Sequence, residues 1–396
     1  MSPDPEIPAA HASAGRRFAI RIGLFYGTTL GLAGAYLPFF PVWLKAIGID
    51  SSWIGLITAV PSLTRFTVLP VVTRLAERMN ALRGVMIVAS CLTLLGFMMM
   101  EPLRHPLALF IVFALTASVW TPLGPLTDGY ALKGCARYGL NYGPLRLWGS
   151  VAFVVGTLVC GLLLDVISGR NVIWVLIALA ALNVLVSFWL RPLDQEAAGA
   201  SPVATSPALL RNPVFIAVIA ASGLIQGSHA AYYTFASIVW RDAGLGGFTI
   251  AGLWSLGVLA EIVVFAISPR FTISPAMQML IGAAAAVIRW IITAQEPPLA
   301  VLAAVQLMHG LTFGIVHLGA VGMLVRLAPG HVIATAQGYL VASNGALTAA
   351  SMILSGALYG SLGQGVYYVM AVQALAGAAI IALLLSRLNR SGPAHA

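Results

Sequence analysis

Twelve long apolar segments constrain this chain more than any other feature of its sequence. Each is long enough to cross a bilayer, which takes a helix of about 20 residues. The runs are continuous rather than alternating with period two, so they predict helices and not the strands of a barrel. A helix also satisfies its own backbone polar groups in hydrocarbon. The segments lie at 18–43, 53–73, 84–100, 107–130, 146–165, 172–190, 213–240, 249–268, 276–294, 299–325, 332–356 and 366–386.

Composition and charge agree with a membrane protein. Hydrophobic residues make up 60% of the 396 residues and charged residues only 8%, whereas a soluble domain is about one quarter charged. Fifteen Lys and Arg residues fall on the side of the N-terminus, against four on the other side (Lys45, Arg104, Arg170 and Arg241). The positive-inside rule then predicts both termini in the cytoplasm, at a bacterial-type inner membrane. The net charge of +9 reflects this orientation, so we expect no nucleic-acid partner.

The chain is predicted to form two six-helix halves. Residues 191–212 are rich in Ala, Ser and Pro, which is typical of a flexible linker, and they separate residues 1–190 from 213–396. At an offset of 197 residues, the dipeptide "VW" at Val42 recurs at Val239, which indicates duplication. Two parallel six-helix repeats are typical of secondary transporters, whose substrate site lies near the bilayer midplane.

Five ionisable side chains stand out inside the predicted spans, where a charge costs at least a few kcal/mol unless it faces a cavity or a partner. Glu261 and Arg65 lie about halfway through spans eight and two, Arg289 in span nine, and His309 and His317 in span ten. On the functional interpretation, Glu261 gains and loses a proton as a cavity opens to each side, while Arg289 approaches or leaves it. On the structural interpretation, Arg289 neutralises Glu261 and holds spans eight and nine together.

The other buried groups also have two interpretations. Arg65 either faces a cavity or extends to the membrane surface. The two histidines are eight residues apart, which is about 80° around a helix, so they either share a functional face or serve in packing. No metal-ligand spacing, nucleophile elbow or phosphate loop stands out in the sequence. We therefore expect no metal, no cofactor and no enzymatic activity.

A set of short motifs follows the spans in order: "YLPFFPVWLKAIG", "PLTDGYALKG", "YGPLRLWGSVAFVVG", "AEIVVFAIS", "AVIRW" and "MHGLTFGIVHLGA". Together they resemble the phenylpropionate permease family of the major facilitator superfamily, which is similar in turn to the lactose permease group. The resemblance implies the major facilitator fold, an all-α membrane protein with twelve transmembrane helices in two pseudo-symmetric bundles. It also implies proton-coupled uptake of a small organic solute, with phenylpropionate-like aromatic acids as the namesake.

The likeness to the lactose permease group implies roles for individual residues. The substrate pair of that group, an acid on helix four and an arginine on helix five, matches Asp128 and Arg146. Its coupling glutamate on helix eight matches Glu261, its arginine on helix nine matches Arg289, and its histidine on helix ten matches His309.

Three positions depart from that pattern. The second glutamate, three residues after the histidine, is Thr312 here, the lysine three residues before it is Gln306, and the sugar-stacking tryptophan of helix five is Phe153. The proton route therefore differs from that of the lactose permease group, and the pattern does not favour a galactoside. By residue count, Asp128 and Arg146 fall near the cytoplasmic ends of their spans, whereas the resemblance implies a position in the cavity.

The charges of the candidate residues favour an anionic substrate. Arg65, Arg146 and Arg289 outnumber Asp128 and Glu261, and an unbalanced arginine suits a carboxylate, which it can bind through two hydrogen bonds. An aromatic pocket is a further prediction, although aromatic residues at helix ends often serve as interfacial anchors. Its candidate residues are Tyr36, Phe39, Trp120, Tyr232, Tyr233 and Trp254.

We therefore expect a proton-coupled symporter that imports an aromatic or other carboxylate by alternating access, working as a monomer in the lipid bilayer. The predicted substrate-binding residues are Arg65, Asp128, Arg146, Phe153 and Tyr36, and the predicted proton-coupling residues are Glu261, Arg289, His309 and His317. A nucleoside or sugar symporter is one alternative. A proton-driven exporter is another, but such exporters often carry a Gly-Pro pair in span five, and "WGSVAFVVGTLVCGLLLD" has none.

Overall fold

The computed structural model describes residues 6–78, 81–193 and 209–390 of the chain. In these residues the regular secondary structure is helical throughout. Residues 194–208, most of the predicted linker, lie outside the described residues. The sixteen α-helices are α1 (Glu6–Ala46), α2 (Ser51–Thr67), α3 (Leu69–Arg78), α4 (Leu82–Met100), α5 (Pro106–Trp120), α6 (Leu123–Tyr138), α7 (Tyr142–Leu164), α8 (Val172–Trp189), α9 (Pro213–Gly227), α10 (Ala230–Asp242), α11 (Gly247–Ile267), α12 (Pro275–Ala294), α13 (Leu299–Leu307), α14 (Val316–Leu327), α15 (Ile333–Leu362) and α16 (Val366–Arg390).

Ten helices of the described chain are long and apolar enough to span a membrane, and an eleventh span results if α2 and α3 count as one. The longest of them, Ile333–Leu385, contains α15 and most of α16, which a short turn at Gly363–Gly365 separates. This helix therefore covers two of the predicted apolar segments. The prediction of a polytopic, all-α membrane protein is confirmed.

Prolines explain two of the interruptions. Helices α2 and α3 meet at a bend of 47°, next to Pro70, which has no N–H to donate to the carbonyl of Phe66 four residues earlier. Pro122 lies in the same way between α5 and α6. Helix α6 then continues to Tyr138 and ends at Gly139 in the left-handed conformation, with φ of +66°. Asp128 therefore lies well inside a helix rather than at the end of one.

The chain divides into two compact units, each of which takes a segment from the other half of the sequence. Unit 1 comprises residues 1–49, 67–200 and 246–251, and unit 2 comprises residues 50–66, 201–245 and 252–396. Helix α2 thus belongs with the C-terminal helices, and the first turns of α11 belong with the N-terminal ones. The division into residues 1–190 and 213–396 stays a prediction from the sequence.

Glycines let α1 and α7 pack closely in unit 1. A side chain at Gly34 would collide with the backbone of Phe153, and one at Gly156 with the backbone of Gly31. The Thr157 hydroxyl donates a hydrogen bond to the Gly34 carbonyl at 2.8 Å. Small residues commonly permit such close contacts between membrane helices, because they let the two backbones approach.

The segment of α11 that belongs to unit 1 packs against the end of α7 and is hydrogen-bonded to it. A side chain at Gly247 would collide with the backbone of Gly161. The Asp165 carboxylate accepts hydrogen bonds from the N–H groups of Gly247 at 2.5 Å and of Phe248 at 3.0 Å. The first N–H groups of a helix have no partner within the helix, so Asp165 satisfies two donors that would otherwise lack one.

Helix α2 also contacts unit 2 through close packing and a polar interaction. A side chain at Gly55 would collide with the backbone of α15 at Met352 and Gly356. The hydroxyl groups of Thr58 and of Thr234 on α10 lie 3.3 Å apart, within hydrogen-bonding distance. Close backbone packing and a polar contact thus place α2 against α10 and α15.

The α1–α7 contact can be tested with two glycines on one helix. Replacing Gly34 by Ala should destabilise the protein by about 1–3 kcal/mol, because the added methyl group overpacks a tight contact. Gly27→Ala is the matched control, since a side chain there meets no atom within 4 Å and alanine favours the helix. Thermal unfolding of the purified protein measures both. A midpoint for Gly34→Ala equal to that of Gly27→Ala would contradict the packing.

Candidate functional site

The carboxylate of Asp128 forms a polar centre in unit 1. Its Oδ1 atom accepts hydrogen bonds from the hydroxyl groups of Tyr26 at 2.6 Å and Tyr142 at 2.8 Å. Nε of Arg146 lies 3.6 Å from the same oxygen. We call these four residues the Asp128 centre. The side chains of Asp128 and Arg146 are 37% and 41% exposed, so a small molecule can reach both.

Arg146 contacts Asp128 through Nε, and its guanidinium lies 5.8 Å from the centre of the Tyr26 ring. In the part of the chain that the structure describes, neither terminal nitrogen of Arg146 has a hydrogen-bond partner. These two nitrogens form the fork that binds a carboxylate through parallel hydrogen bonds. The centre therefore combines a fixed carboxylate with an arginine that has binding capacity left.

The two other residues predicted to bind substrate in this unit differ in their surroundings. Phe153 follows Arg146 by seven residues on α7, about two helical turns and on the same face, and it is half-buried. Tyr36 is only 7% exposed and packs against the rings of Phe113 at 5.8 Å and Trp120 at 4.6 Å. Aromatic packing explains Tyr36 without a ligand, so the structure gives its predicted substrate contact no support.

Arg289 forms a second polar centre, in unit 2. Its side chain is fully buried. NH1 lies 3.0 Å from both Nδ1 of His309 and Oγ1 of Thr312, and NH2 donates to Oε1 of Gln306 at 3.0 Å. The guanidinium also lies 4.9 Å from the centre of the Tyr232 ring and 4.6 Å from that of the adjacent Trp290. Neutral groups thus surround the cation, and we call this set the Arg289 centre.

Glu261 contacts the Arg289 centre through His309. Its Oε2 atom lies 3.8 Å from Nε2 of His309, and its side chain is 25% exposed, against 9% for His309. Gly314 packs beside Glu261, since a side chain there would lie 3.2 Å from Val264 and 3.8 Å from the glutamate Cγ. Among the described residues, no carboxylate lies within 4 Å of the Arg289 guanidinium. Glu261 and Arg289 therefore form no direct ion pair in the described chain, and His309 contacts both.

Arg65 and His317 lie outside the two centres. Arg65 is exposed in the last turn of α2, beside the bend to α3, and forms no hydrogen bond to either centre in the described chain. The ring of His317 lies 6.3 Å from that of Phe265 on α11, the helix that carries Glu261. Both His309 and His317 thus face α11, while their roles in proton coupling stay predictions.

Several residues that form or contact these centres were not identified from the sequence, among them Tyr26, Tyr142 and His229. Tyr26 and Tyr142 bind Asp128, and His229, at the junction of α9 and α10, lies 3.0 Å from Thr312. The available signal for His229 was a histidine inside an apolar segment, in "SHAAYY". Thr312 stood out in the sequence only as a departure from a family pattern, whereas the structure makes its hydroxyl group an acceptor for Arg289.

A fold of membrane-spanning helices with ionisable polar centres inside its spans is typical of a secondary transporter. The model of the MFS_1 like family matches residues 19–370, and the chain belongs to this family. It is 36% identical over 367 residues to the probable 3-phenylpropionic acid transporter of Escherichia coli (strain K12), covering 89% of this chain and 94% of that relative. It is 27% identical over 376 residues to the maltose permease of Geobacillus stearothermophilus, covering 93% and 95%.

Solved structures show the same fold. The nucleoside transporter NupG superposes with a TM-score of 0.81 at 17% identity, covering 93% of this chain and 99% of that one. The human organic anion transporter MFSD10 superposes with a TM-score of 0.60 at 14% identity, covering 93% and 99%. The expected major facilitator fold and the resemblance to phenylpropionate permeases are confirmed. The chain is a multi-pass membrane transporter and not an enzyme.

The hydrogen bond from Tyr26 to Asp128 can be tested by stability. Tyr26→Phe removes a buried donor to a charged acceptor, so we expect a loss of about 1.5–3 kcal/mol of unfolding free energy. Tyr339→Phe is a suitable control, because the Tyr339 ring packs against Phe215 at 6.2 Å and its hydroxyl group has no hydrogen-bond partner in the described chain. Thermal unfolding compares the two variants, and equal midpoints would contradict the role of Tyr26.

Proposed function

We propose that this transporter is a symporter that couples the import of a small organic carboxylate to a proton, by alternating access. The Asp128 centre takes the carboxylate, and Glu261 takes the proton. An aromatic carboxylate is the first candidate substrate. The protein works as a monomer in a bacterial-type inner membrane, with both termini in the cytoplasm, as the distribution of Lys and Arg favours.

The observation that carries the proposal is the position of Glu261. It lies inside the apolar helix α11, it is partly accessible, and its contact is a histidine rather than an arginine. An acid that no cation holds in the ionised state can bind and release a proton as its exposure changes. Acidic residues within transmembrane segments commonly mark proton pathways for this reason.

The Asp128 centre supports a carboxylate substrate. Tyr26, Tyr142 and Arg146 all surround one carboxylate oxygen of Asp128, so this oxygen already has its partners within the protein. The terminal nitrogens of Arg146 remain for a ligand, and their geometry matches a second carboxylate. Phe153, on the same face of α7, offers an aromatic surface two turns away. The relative named for 3-phenylpropionic acid agrees with this substrate class.

Replacing Glu261 by Gln should abolish the coupling to protons but not the movement of the substrate. Glutamine mimics the protonated acid and cannot release a proton, so we expect loss of uphill uptake in proteoliposomes with an imposed pH gradient, while substrate exchange continues. Glu101→Gln, at the end of α4 and outside both centres, should retain uphill uptake. Full accumulation by the Glu261→Gln variant would end the proposal.

Arg146→Lys tests the carboxylate site. Lysine keeps the charge but not the fork, so we expect the concentration for half-maximal exchange of 3-phenylpropionate to rise about tenfold, which corresponds to about 1.4 kcal/mol. Arg137→Lys is the control, because its guanidinium lies over the ring of Tyr138 at 5.6 Å on α6, outside the centre.

A ligand screen distinguishes the substrate classes. Thermal unfolding of the purified protein with aromatic carboxylates, aliphatic carboxylates, maltose and nucleosides should show stabilisation by carboxylates alone, and a weaker effect in Arg146→Lys. Stabilisation by maltose or a nucleoside without any effect of carboxylates would favour the sugar or nucleoside alternative, which the maltose permease relative makes worth including.

A further inference from the structure

The hydrogen bonds of Arg289 determine the form of His309. A guanidinium carries donors and no acceptor, so its NH1 must donate to Nδ1 of His309 at 3.0 Å. Nδ1 therefore carries no proton, and in the neutral ring the proton is on Nε2. That atom lies 3.8 Å from Oε2 of Glu261. As long as Arg289 donates to Nδ1, this nitrogen cannot take up a proton. His309 then presents its Nε2–H group to Glu261.

The same reasoning gives a direction to the contacts of Thr312 and His229. The carbonyl of Gln226 can only accept, so Nδ1 of His229 donates to it at 3.1 Å. Nε2 of the neutral ring is then an acceptor, and the Thr312 hydroxyl group donates to it at 3.0 Å. The hydroxyl oxygen in turn accepts from Arg289 NH1 at 3.0 Å. A single chain of hydrogen bonds thus connects the backbone at Gln226 to Arg289.

We propose that Thr312 and His229 are positioning residues, which hold the Arg289 guanidinium on His309 and away from Glu261. The proposal deepens the proposed function, because it rests on Glu261 as the proton carrier. Without this restraint, the cation would be attracted to the ionised carboxylate, because opposite charges attract each other more strongly in a protein interior than in water. Thr312 and His229 keep Glu261 free to take up its proton.

The surroundings of Arg289 leave Glu261 as the acid of this centre. Its titratable and charged neighbours in the described chain are His229 at the α9–α10 junction, Tyr232 and Tyr233 of α10, Glu261 of α11 and His309 of span ten. Tyr367 of α16 stacks on Trp290 at 5.9 Å. Tyr232 faces the guanidinium with its ring, and Trp290 donates its Nε1–H to Ser228 at 2.9 Å.

The pair Thr312→Val and Thr312→Ser tests the proposal. Valine keeps the shape and removes the hydroxyl group, so Arg289 can approach Glu261 and a lower pH is needed to protonate the acid. We expect the pH of half-maximal uptake to fall by about one unit in Thr312→Val, with exchange retained. Thr312→Ser keeps the hydroxyl group and should restore the wild-type profile.

His229→Asn tests the second link. Asparagine can still donate to the Gln226 carbonyl but does not reach Thr312, so we expect the same shift as in Thr312→Val. The double variant should show no further shift in the pH of half-maximal uptake, because both changes interrupt the same chain of hydrogen bonds. Additive shifts, or a Thr312→Ser profile equal to that of Thr312→Val, would overturn the proposal.

A measurement without transport separates this proposal from the proposed function. In ¹⁵N spectra of histidine-labelled protein, the signals absent in His309→Asn identify His309. We expect an unprotonated Nδ1 in the wild type and in Thr312→Ser, and a mixture of the two neutral forms in Thr312→Val. If Glu261→Gln retained uphill uptake, the coupling proposal would fail while these spectra still tested the positioning. A protonated Nδ1 in the wild type would overturn the positioning itself.

Discussion

A buried guanidinium that neutral groups surround is the constraint on which unit 2 depends. Moving a cation out of water costs several kcal/mol, and Arg289 is fully buried. His309, Thr312 and Gln306 accept hydrogen bonds from its two terminal nitrogens, while its buried Nε has no hydrogen-bond partner in the described chain. Two aromatic rings cover the guanidinium, where cation–π attraction contributes to its stability. Because the hydrogen-bond partners of the cation are neutral groups, the nearest acid, Glu261, does not serve as its counter-ion.

The two polar centres contain similar residues but arrange the acid and the arginine differently. In the Asp128 centre, an acid and an arginine are paired and two tyrosines hold the acid in place. In the Arg289 centre, neutral acceptors hold the arginine, and the acid, Glu261, contacts His309 rather than the arginine. The paired arrangement is the one that we propose for binding a substrate carboxylate, and the separate acid is the one that we propose as the proton carrier.

The fold was predictable from the sequence to a large extent, because hydrocarbon forces each long apolar segment into a helix. The Asp128–Arg146 and Glu261–His309 contacts were predictable only through a family resemblance. Tyr26 lies about one hundred residues before Asp128 in the chain, and nothing in its local sequence shows that α1 brings the two together. Glu261 contacts His309 rather than Arg289 because of how the three helices that carry these residues are rotated about their own axes. The spacing of residues in the sequence does not define these rotations.

A π-helix at Gly310–Ile315 explains the alignment of the two histidines. In a regular α-helix, residues eight apart are rotated by about 80°. A π-turn accommodates one extra residue, which takes up about 100° and brings His309 and His317 to within about 20° of each other. Gly310 and Gly314, both in this turn, pack against α11 at Ala260 and Val264. The irregular turn therefore places one face of span ten along α11, with His309 beside Glu261 and His317 beside Phe265. An irregularity of this kind leaves no mark in the hydrophobic pattern, because both glycines also fit a regular helix.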